Sequence, residues 1–111
     1  MDEVNSFVES ACMQIIAAAG NAKSLFIEAC DDANKNDVES AKAKIAEAKE
    51  SLEEAHKVHL ELITKEANNE LGEVKLLLVH AEDQMMSSEI YEIMANKFVD
   101  LSIALSKLNV K

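Results

Sequence analysis

Three histidines, His56, His59 and His80, give this chain its widest chemical reach. A neutral imidazole can ligate a metal, move a proton or attack an electrophile. His80 has the richest surroundings. The apolar run Leu76-Leu77-Leu78-Val79 leads into it, and Glu82, Asp83, Gln84 and Ser87 follow. On a helix, residues three and four apart are neighbours, so His80, Asp83, Gln84 and Ser87 share one face. A carboxylate near an imidazole can orient it, select its tautomer and stabilise its charged form. A phosphoryl group taken onto a ring nitrogen can move on to a second acceptor. The strip therefore admits a phosphocarrier, and it equally admits a structural histidine on a solvated face.

Other chemistries find less support. His56 and His59 are a feasible i, i+3 ligand pair, but two ligands do not make a metal site. Glu53 and His56 form one Glu-x-x-His of the kind found in di-iron bundles, which need two. The residue three before His80 is Leu77, so the second is absent. There is no nucleophile elbow and no glycine-rich phosphate loop. Cys12 and Cys30 fall on one expected helix, where eighteen residues at about 1.5 Å each separate them by about 27 Å, too far to pair.

The elements that must position the strip are helices. The 111 residues include no proline and two glycines, and Ala, Glu, Lys and Leu are abundant. A single domain over 1–111 is expected. The first helix should span about 2–33, with a stripe through Val4, Phe7, Val8, Ala11, Ile15, Ala19, Ala22, Phe26, Ala29 and Ala33. Gly20, in a stretch of small residues, suggests a close helix or subunit approach. Asn36 and Glu39 have capping-box form, so the second helix should span about 37–67. Its seam is Val38, Ala41, Ile45, Ala48, Leu52, Ala55, His59 and Leu62, in which His59 is a polar ring that needs a hydrogen-bond partner. Asn68, Asn69 and Gly72 tolerate left-handed conformations and close it.

The third helix should span about 73–108, with a stripe through Leu77, Ala81, Met85, Ser88, Ala95, Phe98, Leu101, Leu105 and Leu108. Leu78, Ile90, Ile93, Met94, Val99 and Ile103 widen that stripe past what two neighbours would cover, which points to self-association through this helix. The expected fold is all-α, three long antiparallel helices with short loops. A net charge of −10 argues against a nucleic-acid partner and favours basic-faced proteins. No apolar run approaches a membrane span, and Met1-Asp2-Glu3-Val4 lacks a signal peptide's basic start. With no disulfide framework either, a cytoplasmic protein is expected.

Val79-His80-Ala81-Glu82-Asp83-Gln84-Met85-Met86 resembles the active-site segment, His-Ala-Gln-Asp-His-Leu-Met, of the IIA component of the lactose/cellobiose (N,N'-diacetylchitobiose) branch of the bacterial sugar phosphotransferase system. Ala19-Gly20-Asn21-Ala22-Lys23-Ser24 and Glu54-Ala55-His56-Lys57-Val58-His59 agree with the same family, and the similarity extends from about Ile15 to Leu105. The resemblance implies a homotrimer, a nine-helix bundle. It implies a phosphotransferase component with a phosphohistidine intermediate and no stand-alone turnover. His80 would accept a phosphoryl group from phosphorylated HPr and pass it to a IIB component during sugar uptake through membrane-embedded IIC. Asp83 would meet its symmetry mates at the trimer axis, where a divalent cation, with magnesium the natural choice for oxygen ligands, would neutralise three carboxylates. His80 would lie about two turns inside its helix, beyond the reach of the N-terminal dipole. Contacts to the phosphoryl group would then come from neighbouring side chains or another subunit, with His59, Gln84, Ser87 and His56 as supporting candidates.

The chain departs from the family pattern in four places. Gln84 stands where a second histidine is usual, Glu82 replaces a glutamine, His59 replaces a glutamine on the second helix, and a proline before the third helix is missing. The reciprocal exchange suggests that His59 and Gln84 approach one another near His80. The alternative function is a non-catalytic helical oligomerisation or regulatory module of the same fold.

Overall fold

The computed structural model of the chain describes residues 2–108; Met1 and residues 109–111, the ends of the expected domain range, lie outside the described residues. Three helices make up the rod, α1 (Asp2–Asn34), α2 (Val38–Ala67) and α3 (Leu76–Leu108). It measures 66 × 19 × 17 Å. No strand occurs among the described residues. Cross-helix pairs fix the directions. Asn21 meets Ser51 and Asp32 meets Lys44, so α1 and α2 are antiparallel. Lys49, His56 and His59 of α2 meet Glu92, Glu89 and Glu82 of α3 in reverse order, so those two are antiparallel as well.

The core is the stripe of small and branched residues that three-and-four spacing places inward. On α1 it is Ala11, Ile15, Ala19, Ala22, Phe26, Ala29 and Ala33, joined by Cys12. On α2 it is Ala41, Ile45, Ala48, Leu52, Ala55 and Leu62. The alanines let the helices approach closely, and the larger side chains between them fill the remaining volume. Val4, Phe7 and Val8 are only half-buried. Gly20 does not serve a close approach within the protomer, because a Cβ built on it would meet nothing within 4 Å.

The ends of the helices differ from expectation in two places. Asp37, rather than Asn36, caps α2, its Oδ1 accepting from the Ser40 N–H at 3.2 Å. Asn36 instead takes the left-handed conformation of the turn (φ 67°), which a short polar side chain tolerates. The turn is clasped by Asp32, which accepts from the Ser40 hydroxyl at 2.6 Å and pairs with Lys44 at 2.9 Å. The Ser40 hydrogen bond and then Lys44 hold the Asp32 carboxyl below the usual carboxylate range. The clasp is therefore complete at neutral pH and is lost only as pH falls through that lowered value.

The second difference lies before α3, which begins at Leu76 rather than at 73. Asn69 (φ 58°) and Gly72 (φ 82°) turn the chain, and Leu71 is buried as an anchor. Glu73-Val74-Lys75 then spans the gap without helical structure. None of these three carries the short side-chain oxygen that would cap a helix earlier. The Lys75 carbonyl accepts from the N–H groups of Leu78 and Val79, at 3.0 and 3.2 Å.

The stripe expected on α3 holds through Ala81, Met85, Ser88 and Ala95 and then changes phase. Leu78 and Val99 are buried, whereas Phe98, Leu101, Leu105 and Leu108 are exposed. Beyond Ala95 both i+3 and i+4 continuations are apolar, so periodicity alone does not choose between them.

Candidate functional site

Each histidine occupies a different setting. His59 lies on the α2 seam with its side chain 19% exposed, and its Nε2 is 2.6 Å from the Glu82 carboxylate on α3. His56, one turn earlier, is 2.6 Å from Glu89. His80 is exposed, and among the described residues no hydrogen bond or ion pair reaches its ring. Asp83, expected to be its orienting neighbour, is also exposed and makes no ion pair among the described residues.

The structure does not bring His59 and Gln84 together as partners. Gln84 is half-buried and its Oε1 accepts from Lys23 Nζ at 2.8 Å. His59 pairs instead with another departure from the family pattern, Glu82. An imidazole and a carboxylate in place of two amides keep a polar contact across α2 and α3, and they add charge to it when the ring is protonated. Ser87 donates its hydroxyl to the Gln84 carbonyl at 3.1 Å, so its hydrogen is used by its own helix. None of the four supporting candidates is hydrogen-bonded to His80.

The late start of α3 changes the electrostatics. His80 lies about one turn in from Leu76, not two. Side chains on a helix lean toward its N-terminus, so a group on the His80 ring would lie over the first turn, where the macrodipole is strongest. Sequence reasoning missed this and missed Lys23, whose ammonium sits between Gln84 and the Tyr91 ring, 5.5 Å from its centroid. Lys23 falls within the family-like stretch Ala19–Ser24, but nothing in the sequence singles it out from its neighbours there. Its partner depends on the register of α1 against α3, which one sequence does not specify.

The cysteines are not poised for chemistry. Burial, followed by the charges of Glu82 and Glu9, pushes the Cys12 thiol up, and burial followed by Asp31 does the same to Cys30. A raised value leaves little thiolate at neutral pH. No group of three potential metal ligands occurs among the described residues of one chain. Asp83 alone offers carboxylate oxygens suited to magnesium, and one carboxylate fits such an ion only if other copies supply the rest.

His80 thus presents an exposed imidazole without a partner among the described residues, about one turn into α3 rather than the two expected. The sequence profile of the phosphotransferase-system family "Lactose/Cellobiose specific IIA subunit" matches residues 10–102. The chain belongs to that family. This IIA protein is 38% identical over 98 residues to the lichenan-specific phosphotransferase enzyme IIA component of Bacillus subtilis, covering 88% of this chain and 89% of that one. The crystal structure of the cellobiose-specific enzyme IIA from Bacillus anthracis superposes with a TM-score of 0.89 at 34% identity, covering 92% of this chain and 94% of that one. The IIA of the N,N'-diacetylchitobiose branch of Escherichia coli, solved in complex with HPr, gives a TM-score of 0.78 at 31% identity and covers 89% of this chain and 96% of that one. The extent of the match agrees with the 15–105 similarity read from the motifs. This IIA protein is thus a phosphocarrier subunit of a sugar phosphotransferase system.

Proposed function

We propose that His80 is the residue that carries the phosphoryl group, received from phosphorylated HPr and delivered to a IIB component. The observation that carries this reading is the contrast among the histidines: His56 and His59 are each 2.6 Å from a carboxylate, while the exposed His80 ring is free to meet a visiting protein. HPr as donor is supported by the Escherichia coli relative, solved with HPr bound. The acidic surface of this chain, with net charge −10, suits a basic-faced donor.

In the transfer, the lone pair of an unprotonated His80 ring nitrogen attacks phosphorus. The P–N bond to the donor imidazole breaks and its electron pair stays on the donor ring. A proton on the far nitrogen of the donor ring makes the leaving group a neutral imidazole, and the far N–H of His80 is retained. In delivery to IIB a nucleophile of that component attacks phosphorus, the P–N bond to His80 breaks, and its electron pair returns to the His80 ring, which leaves as neutral imidazole. The first turn of α3 favours the negative charge gathered over the ring.

The working form in this proposal is a homotrimer assembled through the outer side of α3. Ile90, Met94 and Leu101 are 60%, 61% and 56% exposed there. With Phe26, Tyr91 and Phe98 they line a groove of about 440 Å³, more apolar surface than a lone soluble chain usually leaves uncovered. Asp83 from each subunit would hold a divalent cation, magnesium by its preference for oxygen ligands, whose contribution is charge neutralisation at the axis. No helix among the described residues is long and apolar enough to cross a membrane; in this proposal the carrier acts in the cytoplasm, beside membrane-embedded IIC.

Phosphoenolpyruvate, the general phosphotransfer enzyme and HPr should place an acid-labile phosphate on this protein that His80→Ala abolishes. An unlabelled wild type beside a labelled HPr would overturn the assignment.

A further inference from the structure

Lys23 is a cation without an anion. In a chain with 21 acidic and 11 basic residues, no carboxylate lies within ion-pair reach of its ammonium among the described residues. Its contacts are the neutral Gln84 amide oxygen at 2.8 Å and the Tyr91 ring at 5.5 Å. By contrast, Lys44 pairs with Asp32 at 2.9 Å. A half-buried ammonium forgoes part of its hydration, and a neutral acceptor with an aromatic face returns less of it than an anion would. The position is also specific. Gln84 lies one turn after His80 on the same face, where side chains four residues apart are neighbours. The hydrogen bond from α1 therefore holds a positive charge on the residue one turn past the exposed imidazole that has no carboxylate partner.

We infer that Lys23 is the phosphoryl-binding cation of this site, with Gln84 and Tyr91 holding it ready while His80 is unphosphorylated. This rests on His80 being the phosphoryl acceptor. When the phosphoryl group arrives, the Lys23 ammonium leaves the Gln84 oxygen, or shares it, and donates to a phosphoryl oxygen. The Gln84 amide is then free to turn its NH2 toward the same group. Lys23 neutralises part of the charge that passes between the two rings. It forms no covalent bond, and the phosphoryl exchange needs no other reactant. Glu82 and Asp83 both stand within one turn of His80, and their charge disfavours an incoming anion that a nearby cation would favour.

The test measures single-turnover transfer from phosphorylated HPr, together with the 31P resonance of the product. Lys23→Ala and Lys23→Met should slow transfer about tenfold to a hundredfold, the range for losing a charge-assisted contact at a partly exposed site. Their affinity for unphosphorylated HPr should stay near that of wild type. Lys23→Arg should recover most of the rate, since it restores the charge and donors. In wild type alone, phosphorylation should move the Lys23 13Cε resonance and weaken or break its hydrogen bond to Gln84, an observation that needs no variant to fold. Transfer by Lys23→Met at the wild-type rate, with unmoved 31P and 13Cε resonances, would overturn the role of Lys23 while leaving His80 as acceptor. A wild type that takes no label would overturn both.

Discussion

The seam between α2 and α3 and the open strip on α3 handle the same side chain in opposite ways. In the seam, His59 is 19% exposed and clasped by Glu82, and His56 is clasped by Glu89. On the strip, His80 has Glu82 and Asp83 close in sequence and pairs with neither. A clasped imidazole has a nitrogen committed to its carboxylate, and using that nitrogen on phosphorus means breaking the pair first. An open imidazole has no such cost. Whether a histidine is held or available is thus decided by the register between helices rather than by the carboxylate next to it along the chain.

The comparison breaks most sharply through function. His80→Ala should reduce phosphoryl uptake to background with little effect on stability, because an exposed ring without partners contributes little to folding. His56→Ala and His59→Ala should keep uptake within about threefold. A clasped histidine whose removal abolishes labelling would merge the two classes. Next in size is the assembly that the strip is expected to face. Asp83→Leu removes mutual repulsion among three carboxylates, so the trimer's dissociation constant should fall by about tenfold or more and become insensitive to a chelator. Sedimentation at several protein concentrations reads this directly, and a wild-type monomer at every concentration would contradict the assembly.

The smallest expected effect lies in the seam. The His59–Glu82 pair is partly exposed, so a double-mutant cycle with His59→Gln and Glu82→Gln should return a coupling of about 0.5–1 kcal/mol. The double variant should recover most of the loss, since two amides replace the pair. A coupling indistinguishable from zero near pH 6 would mean that the two residues are neighbours without being partners.

How much of this could be read in the sequence follows from what each feature depends on. The stripes of α1 and α2 are set by local spacing, and Ile15, Phe26, Ile45 and Leu52 are buried where three-and-four periodicity places them. The boundary at Leu76 was missed by three residues, since Glu73, Val74 and Lys75 are neither breakers nor caps. The later start places His80 nearly a turn nearer the helix N-terminus. The phase change after Ala95 was not legible, because Phe98 and Val99 are equally apolar and only the fold chooses the buried one. His80 and Asp83 are singled out by the motif. Lys23 and the Glu82 partner of His59 were not, since both contacts cross between helices.

The most direct test of the central claim is to record the imidazole resonances of all three histidines before and after phosphorylation by HPr. The account predicts a phosphorus-coupled ring nitrogen at His80 alone, with the His56 and His59 rings keeping their paired signatures. A phosphorus coupling at His56 or His59, or none at His80 when HPr is fully charged, would contradict it.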